Sequence, residues 1–451
     1  MVSRFAFAIP FFGAVMLAAT VYGEAPAFAN GRFPRAQQLV SDPRDPSRVF
    51  LRATFGVLTS FDGGGSWRWL CEDAIGFSGT WDPPVAVGRD GRLWMGLEKG
   101  LSWTTDACNV HAMPEVAGEL VSDVSADGDA LVFATSTPKK PAALWRASAS
   151  GAHRTGATLD GYYIDTIDAL GARVWLTGVR VGQKAEPHIF RSDDSGVTLH
   201  ELHPTLPTQG RLYLAAIDPK SPSRILVRQL SDKGSDLLLS EDDGVSFKIA
   251  LHMNGAMFGF TQSADGATVW AGSGDADEGL YRSTDRGRTF GPVAKAPIFC
   301  LHRSAQKLFT CSNPFTENGY AIGSSNDDGT TVKPLIGFAD VLGPVSCDAG
   351  AGASCVKNWS AMHATLTTQT QSAPPPPPAS STPMFGAEHS DAGRSFGTER
   401  STCGCGISAG PVWPVAPWIG LVGALFARRG RSRVDRSRGS STDQRHQPPR
   451  A

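Results

Sequence analysis

The chain has 451 residues, of which 19% are charged, and its formal net charge is −1 at pH 7. This length exceeds one small core and suits a large single domain or a repeat array. The 50 Gly and 31 Pro predict frequent turns, and the slightly acidic balance argues against nucleic-acid binding.

Residues 1–29 have the layout of a cleavable secretory signal. Arg4 precedes an apolar run over Phe5–Ala19, and the small-x-small triplet Ala27-Phe28-Ala29 precedes Asn30. The run is short for a membrane span, so a signal peptide is favoured. An uncleaved membrane anchor is the alternative.

A polar octet recurs along the chain as Ser-x-Asp-x-Gly-x-Ser/Thr followed by an aromatic or aliphatic residue. Five clear copies centre on aspartates, and the last four of these are 48, 43 and 42 residues apart. The first two are 132 residues apart, three times 44, which predicts two degenerate copies between them. These copies are TTDACNV, which keeps an Asp, and SASGAHR, which has Ser150 in its place. The octet aspartates are Asp62, Asp106, Asp194, Asp242, Asp285 and Asp327.

Seven such units, each with four short strands between Gly, Pro and Asp turns, predict an all-β fold over residues 30–362. The expected architecture is a seven-bladed β-propeller of four-stranded antiparallel blades. The octet then lies at the turn between the last two strands of a blade, where its Asp accepts backbone N–H groups and its Gly supplies a positive φ. The last octet residue is expected to be buried, at about 2 kcal/mol each. These residues are Trp67, Leu199, Phe247, Phe290 and Val332.

The octet resembles the Asp-box of bacterial-neuraminidase-type repeats, which occur in sialidases, sortilin-type ectodomains and photosystem II assembly factors. Five of the seven copies match well, and the resemblance covers roughly residues 37–335. It implies that the box is a folding element remote from the ligand-binding face. The whole layout resembles an exported myxobacterial Asp-box propeller.

Six of the eight Cys lie in the body of the chain, and an even number in an exported protein indicates disulfides. Fifteen connectivities are open. Two predicted strands around a short turn favour Cys300 with Cys311, and a Gly/Ala loop favours Cys347 with Cys355. The remaining pair is then Cys71 with Cys108. Residues 336–362 are expected to form a disulfide-pinned cap on the ring that donates a closing strand.

Residues 363–402 are rich in Thr, Gln, Ser and Pro, which predicts a disordered linker. In residues 403–451, Cys403 and Cys405 precede a 17-residue apolar stretch over Pro411–Ala427, and an Arg cluster follows. The stretch is at the lower limit for a transmembrane helix, and the following Arg residues predict a tail retained on the cytoplasmic side.

This terminal segment resembles the C-terminal sorting segment of myxobacterial surface proteins. The resemblance implies a sorting protease, cleavage near the Cys pair and delivery to the cell surface or the medium. A plain tail anchor is the alternative, and it places residues 30–402 outside the cytoplasm as well.

No catalytic, cofactor-binding or metal-ligating set is visible in the sequence. A sialidase needs three Arg, a Tyr–Glu pair and an Asp, and its early Phe/Tyr-Arg-Ile-Pro motif is missing. The Tyr residues border apolar strands, which indicates packing. Asp165 and Asp168 are interpreted as a solvated pair, and the loop with Asp275, Asp277 and Glu278 as a solvated loop with a faint likeness to a calcium site. His302 is the best candidate for a buried histidine.

The sequence therefore favours a surface-displayed binding or interaction propeller, without catalysis, for a protein or a polysaccharide. The first alternative is a sialidase-like glycoside hydrolase with a site too scattered to see. The second is an assembly factor for an envelope complex.

Overall fold

Seven four-stranded antiparallel sheets make up the structure, a computed structural model, which confirms the predicted seven-bladed propeller. It describes residues 33–77, 81–182, 186–231, 233–316 and 319–368. The predicted signal peptide, the Pro-rich stretch and the predicted sorting segment with Cys403 and Cys405 lie outside these residues.

Each blade is a continuous stretch of chain with its four strands in sequence order. Blade one contains β1 (Ala36–Ser41), β2 (Val49–Ala53), β3 (Gly56–Ser60) and β4 (Arg68–Leu70). Blade two contains β5 (Val85–Val87), β6 (Leu93–Leu97), β7 (Gly100–Thr104) and β8 (His111–Ala112). Blade three contains β9 (Val121–Asp127), β10 (Ala130–Thr135), β11 (Ala142–Ser148) and β12 (Gly151–Leu159). Blade four contains β13 (Tyr162–Leu170), β14 (Arg173–Arg180), β15 (Pro187–Ser192) and β16 (His200–Leu202).

The remaining blades follow the same order. Blade five contains β17 (Arg211–Asp218), β18 (Ser221–Ser231), β19 (Gly234–Ser240) and β20 (Lys248–Met253). Blade six contains β21 (Met257–Gln262), β22 (Val269–Ser273), β23 (Leu280–Ser283) and β24 (Gly291–Ala294). Blade seven contains β25 (Cys300–Arg303), β26 (Leu308–Cys311), β27 (Ile322–Ser325) and β28 (Lys333–Ile336). The helices are α1 (Glu72–Ile75), α2 (Ala351–Thr368) and two short 3₁₀ turns, Pro114–Val116 and Phe338–Asp340.

The first strand of every blade is innermost and packs against the first strands of its two neighbours, with β25 against β1 closing the ring. Because strand direction alternates within a blade, the turn between the third and fourth strands always lies at the same end of the central channel. We call this the octet end. The inner strands begin at the opposite end, which we call the channel mouth.

All seven octets lie at the octet end, at the turn between the last two strands of their blades. In blade five, Asp242 accepts the Ser246 N–H at 3.0 Å and the Ser246 hydroxyl at 2.6 Å. The Ser240 hydroxyl donates to Asp242 at 2.9 Å and accepts the Gly244 N–H at 2.9 Å. The same bonds recur around Asp62, Asp194, Asp285 and, with small changes, Asp327.

Two successive residues of the octet turn are left-handed, whereas the sequence predicted only the Gly. Asp243 has φ 60° and Gly244 has φ 78°. A Cβ added at Gly244 would lie 2.8 Å from the Trp175 ring of blade four. The octet therefore also sets the contact with the preceding blade, and only Gly fits that contact.

The two degenerate octets keep part of this bonding. Asp106 accepts the N–H groups of Cys108 and Asn109, both at 2.8 Å. The octet of blade three has no carboxylate, and Ser150 bonds the Ser148 hydroxyl at 2.8 Å. The closing residues Trp67 and Phe247 are buried as predicted, whereas the other three are half-buried.

Side chains on inner strands join neighbouring blades. Gln38 bonds the Val85 backbone through its Nε2 at 2.9 Å and its Oε1 at 3.2 Å. The Asp123 carboxylate accepts the Ile167 N–H at 2.9 Å. These bonds satisfy polar groups of the inner strands, and their role is to hold neighbouring blades together.

The segment after blade seven forms the predicted cap, but in place of a closing strand it pairs with the outer edge of blade one through an isolated parallel bridge between Trp69 and Pro344. Trp69 of β4 donates its N–H to Gly343 at 2.8 Å and accepts the Val345 N–H at 2.9 Å. The α2 helix follows and runs to Thr368, past residue 362, where the sequence predicted the linker to begin. Leu366 of this helix is buried.

The disulfide between Cys300 and Cys311 is confirmed, and it joins β25 to β26. The other two favoured pairings are wrong, because Cys71 bonds Cys355 and Cys108 bonds Cys347. The local Gly/Ala loop does not close on itself, since it starts α2 and places Cys355 against β4. Three disulfides indicate an exported protein, because stable disulfides form in oxidising compartments.

Within the residues that the structure describes, no helix combines the length and the apolar character that a membrane crossing requires. The apolar stretch at 411–427 lies outside those residues.

Candidate binding site at the channel mouth

The channel mouth carries a cluster of charged and phenolic side chains from blades four and five. Its members come from the start of the inner strands and the end of the second strand, which meet at this end of the ring. They are Tyr163 and Asp165 of β13, Arg211 and Tyr213 of β17, and Arg228 of β18. We call these five residues the mouth cluster.

Asp165 and Arg211 form a two-pronged ion pair in the cluster. Arg211 Nε donates to Asp165 Oδ2 at 3.0 Å, and Arg211 Nη2 bonds Oδ1. The Asp165 side chain is 1% exposed, while that of Arg211 is 30% exposed. Burial raises the pKa of Asp165, and the Arg211 contact opposes this shift. Arg211 therefore keeps a partly exposed guanidinium on a fixed carboxylate support.

Tyr213 lies between the two arginines of the cluster. The guanidinium of Arg228 lies 5.2 Å and that of Arg211 lies 5.7 Å from its ring centroid. The Tyr213 hydroxyl is buried and has no hydrogen-bond partner among the described residues. Burial raises the pKa of this hydroxyl to about 12, so it is a neutral donor. A buried donor without a partner is costly and is expected to be satisfied by water or a ligand.

Arg228 contributes a buried positive charge. Its Nη1 donates to the Met257 carbonyl of blade six at 2.6 Å. Burial lowers its pKa to about 10, which leaves it protonated at neutral pH. Burial also raises the pKa of Tyr163, where the Asp165 charge adds to the effect.

Asp123 of blade three extends the charged side of the mouth. Burial raises its pKa to about 7, against the opposing hydrogen bonds from Ile167 and Val124. The neighbouring Arg52 lowers this pKa by a smaller amount. Asp123 therefore changes charge near neutral pH, and burial raises the pKa of Asp168 in the same direction.

Blades six and seven supply aromatic side chains at the same end. Phe258, the second residue of β21, stacks on Phe299, which precedes β25, with ring centroids 5.5 Å apart. The Arg35 guanidinium of blade one lies 5.3 Å from the Phe299 centroid. The mouth thus has a charged side on blades three to five and an aromatic pair on blades six and seven, with Arg35 beside it.

The interpretation of Asp165 and Asp168 as a solvated pair is wrong, because both carboxylates of β13 have protein partners. Asp165 pairs with Arg211. Asp168 bonds the Ser125 hydroxyl at 2.7 Å and the Ile217 N–H at 3.1 Å, which makes it a link between blades. Tyr213 packs as predicted.

The loop with Asp275 and Asp277 is exposed, in line with the prediction, but Glu278 is engaged. Its carboxylate accepts the N–H groups of Asn254 and Gly255, at 2.6 and 2.9 Å. Among the described residues, no group of three or more potential ligands is placed to hold a metal.

His302 lines the channel between blades seven and one. One of its ring nitrogens lies 2.7 Å from the Ser41 hydroxyl, and burial lowers its pKa to about 4. A neutral histidine here joins the two blades. The octet aspartates lie at the other end of the ring, so the structure does not bring them together with the mouth cluster.

The mouth cluster was missed in the sequence because its members are single polar residues in separate strands. Asp165 and Arg211 are 46 positions apart. The signal that Asp165 and Arg211 share is their position in the repeat, since each lies near the start of an inner strand and they are about one repeat apart.

No protein-family model matches the chain, and a search of curated proteins finds no significant match. Among solved structures, the chain is similar to the extracellular domain of the two component system protein BT4673 from B. thetaiotaomicron. The identity is 12% and the TM-score 0.47, over 65% of this chain and 38% of that one. YCF48 from Cyanidioschyzon merolae matches at 14% identity and a TM-score of 0.45, over 61% and 92%.

The GH74 enzyme of Niastella koreensis matches at 13% identity and a TM-score of 0.32, over 66% of this chain and 62% of that one. These likenesses are too low to carry an argument about function. The assignment of the propeller fold rests on the seven sheets of this structure.

Proposed function

We propose that the protein is an exported, non-catalytic binding propeller that holds an extracellular polysaccharide at the channel mouth. The observation that supports this proposal best is that Arg211 is fixed by a buried carboxylate and is still 30% exposed. Beside it, the Tyr213 hydroxyl needs a partner. Rigid rings with loops and strand ends at one face are a common place for binding sites.

The chemistry of the mouth suits a sugar chain. Guanidinium and phenol groups donate to sugar oxygens, and the Phe258–Phe299 pair offers apolar rings on the opposite side. The cluster lies below the surface and reaches solvent through Arg211, since Tyr213 is 2%, Arg228 is 9% and the Arg211 side chain is 30% exposed. A recessed polar site suits a slender chain better than a flat protein surface.

The test is binding of the purified chain to an array of neutral and uronic-acid oligosaccharides. We expect Arg211→Ala to reduce binding at least tenfold. Arg288→Ala is the matched control, because Arg288 is an exposed, ion-paired arginine at the octet end. Equal binding by both variants would rule out the mouth. Binding to an extracellular protein instead of any glycan would overturn the ligand class.

A glycoside hydrolase is the second candidate, and Asp123 favours it. A carboxyl with a pKa of about 7 has the property of a general acid. Turnover of fluorogenic glycosides, abolished by Asp123→Asn, would replace the binding proposal. Absence of turnover with glycan binding intact supports binding alone.

We further propose that the chain is an Asp-box propeller of the exported myxobacterial type, displayed on the cell surface after cleavage near Cys403 and Cys405. The octet bonding and the disulfides support the propeller and its export. Truncation after Ser401 is expected to release the protein into the medium. Unchanged cell association of the truncated chain would contradict this anchoring.

A further inference from the structure

The contact between blades seven and one, which we call the seam, joins the two ends of the propeller. Each described sheet contains only consecutive strands, so these two blades share no sheet. Across the seam, Lys307 Nζ donates to the Gly63 carbonyl at 2.8 Å. Ser41 and His302 are 2.7 Å apart across the same contact. Between the described strands of blades seven and one, the contact is therefore made by side chains, which include a shared buried cluster with Leu39 and Phe309.

The cap crosses this seam. It leaves blade seven after β28 and pairs in parallel with β4 of blade one, where Trp69 bonds Gly343 and Val345. Arg68 adds a bond from Nη1 to the Pro344 carbonyl at 3.2 Å. The indole of Trp359 in α2 then packs 5.7 Å from the Trp69 ring.

Two disulfides fix the cap to blades one and two. Cys355 of α2 bonds Cys71 directly after β4, and Cys347 bonds Cys108 in the octet turn of blade two. Their sequence separations are 284 and 239 residues, against 11 for the pair within blade seven. Both therefore tie the last part of the ring to the first.

We infer that the cap is an oxidation-dependent latch, which keeps the seam closed only after export. Each disulfide forms when two thiols give two electrons and two protons to a disulfide oxidant, which leaves as two thiols. In the reduced chain, the seam is held by the cap segment and side-chain contacts alone. Opening separates Arg35 from Phe299, which face each other across the seam at the mouth. This last step rests on the proposed function.

Hydrogen–deuterium exchange of the purified chain tests the latch without any ligand. We compare wild type with Cys71→Ser/Cys355→Ser, with Cys108→Ser/Cys347→Ser and with the quadruple variant. Exchange at the amides of Trp69 and Val345, which bond between blade one and the cap, is expected to rise at least tenfold in the quadruple variant, while β14 and β18 change less than twofold. Graded reduction of folded wild type with dithiothreitol gives the same readout if the variants do not fold.

Two controls separate seam opening from general loss of stability. Leu237→Ala removes a fully buried side chain in blade five and is expected to leave the seam protected. Cys300→Ser/Cys311→Ser removes a disulfide within one blade and is expected to leave the Trp69 and Val345 amides protected. Equal exchange in all blades, or an unchanged seam, would overturn the latch. Glycan binding that fails in wild type while the seam responds would overturn the proposed function only.

Discussion

The octet end and the channel mouth use the same residue types in opposite ways. At the octet end, aspartates are satisfied by their own turn, with partners within a few residues in sequence, and are exposed or nearly so. At the mouth, charges are buried and their partners come from other blades. The octet turn recurs around the ring and satisfies its own polar groups, so it builds the scaffold. The mouth cluster occurs once, its Tyr213 hydroxyl has no partner among the described residues, and it is the site at which we propose binding.

The largest expected effect comes from filling the octet contact. Gly244→Ala is expected to lower the free energy of unfolding by about 3 kcal/mol, because the residue is left-handed and its Cβ would meet the Trp175 ring. Gly161→Ala is the control, since Gly161 has a similar φ of 77° but open space around it. Urea unfolding measures both. An equal loss in the two variants would mean that backbone strain, and not the contact between blades, decides the cost.

The second-largest loss of stability is expected from removing one octet carboxylate. Asp285→Ala is expected to cost about 2 kcal/mol, because it strands the N–H groups of Arg288 and Thr289. Thermal unfolding measures the loss, and Asp277→Ala, an exposed aspartate near the mouth, is expected to be neutral. Glycan affinity of the folded fraction should not change. A drop in affinity would break the distinction between the two ends.

The two ends are expected to respond to pH with opposite signs. The pKa of Asp194 is about 2, lowered by the Thr198 N–H, the Thr198 hydroxyl and Ser192. Its stabilisation is complete above its ordinary pKa of 3.8 and is lost as the pH falls from about 4 to about 2. For Asp123, with a pKa of about 7, stability is highest below 3.8 and falls as the pH rises from about 4 to about 7.

Melting temperature against pH checks this contrast. Asp194→Asn should flatten the curve below pH 4, and Asp123→Asn should flatten it between pH 4 and 7. If Asp123→Asn changed the melting temperature only below pH 4, Asp123 would titrate like an octet aspartate, and the contrast would be wrong.

The smallest expected effect on stability is at the mouth. Tyr213→Phe removes a hydroxyl that has no partner among the described residues, so the free energy of unfolding should change by less than about 0.5 kcal/mol. Glycan affinity should fall, because the ligand loses a donor. Calorimetric titration alongside urea unfolding measures both quantities. A large loss of stability with unchanged affinity would place this hydroxyl in the scaffold.

The same contrast explains how far the sequence could predict the molecule. The octet is recognisable in the sequence because its bonds join residues that are close along the chain. A short pattern and its spacing were therefore enough to count seven blades. The mouth cluster leaves no local pattern, since Asp165 and Arg211 meet only when two blades are side by side. The α2 helix was missed because its sequence is rich in small residues and has few large apolar ones to mark a period.

Two of the three predicted disulfide pairings were wrong for a related reason. Proximity in sequence suggested Cys347 with Cys355, whereas the partner of Cys355 is 284 residues away. Ring closure brings the two chain ends together, and no spacing rule for a linear chain contains that constraint.

Because every blade is one uninterrupted stretch of chain, no sheet depends on where the polypeptide starts. New termini placed at residues 160–161, between β12 and β13, would leave all seven sheets whole. If the old ends were joined by a linker, the seam would become an ordinary blade junction. A circular permutant of this kind would have its covalent gap between blades three and four, far from the cap. Its stability, compared with that of the natural chain order, would show how much of the ring's stability comes from the sheets and how much depends on the position of the chain break.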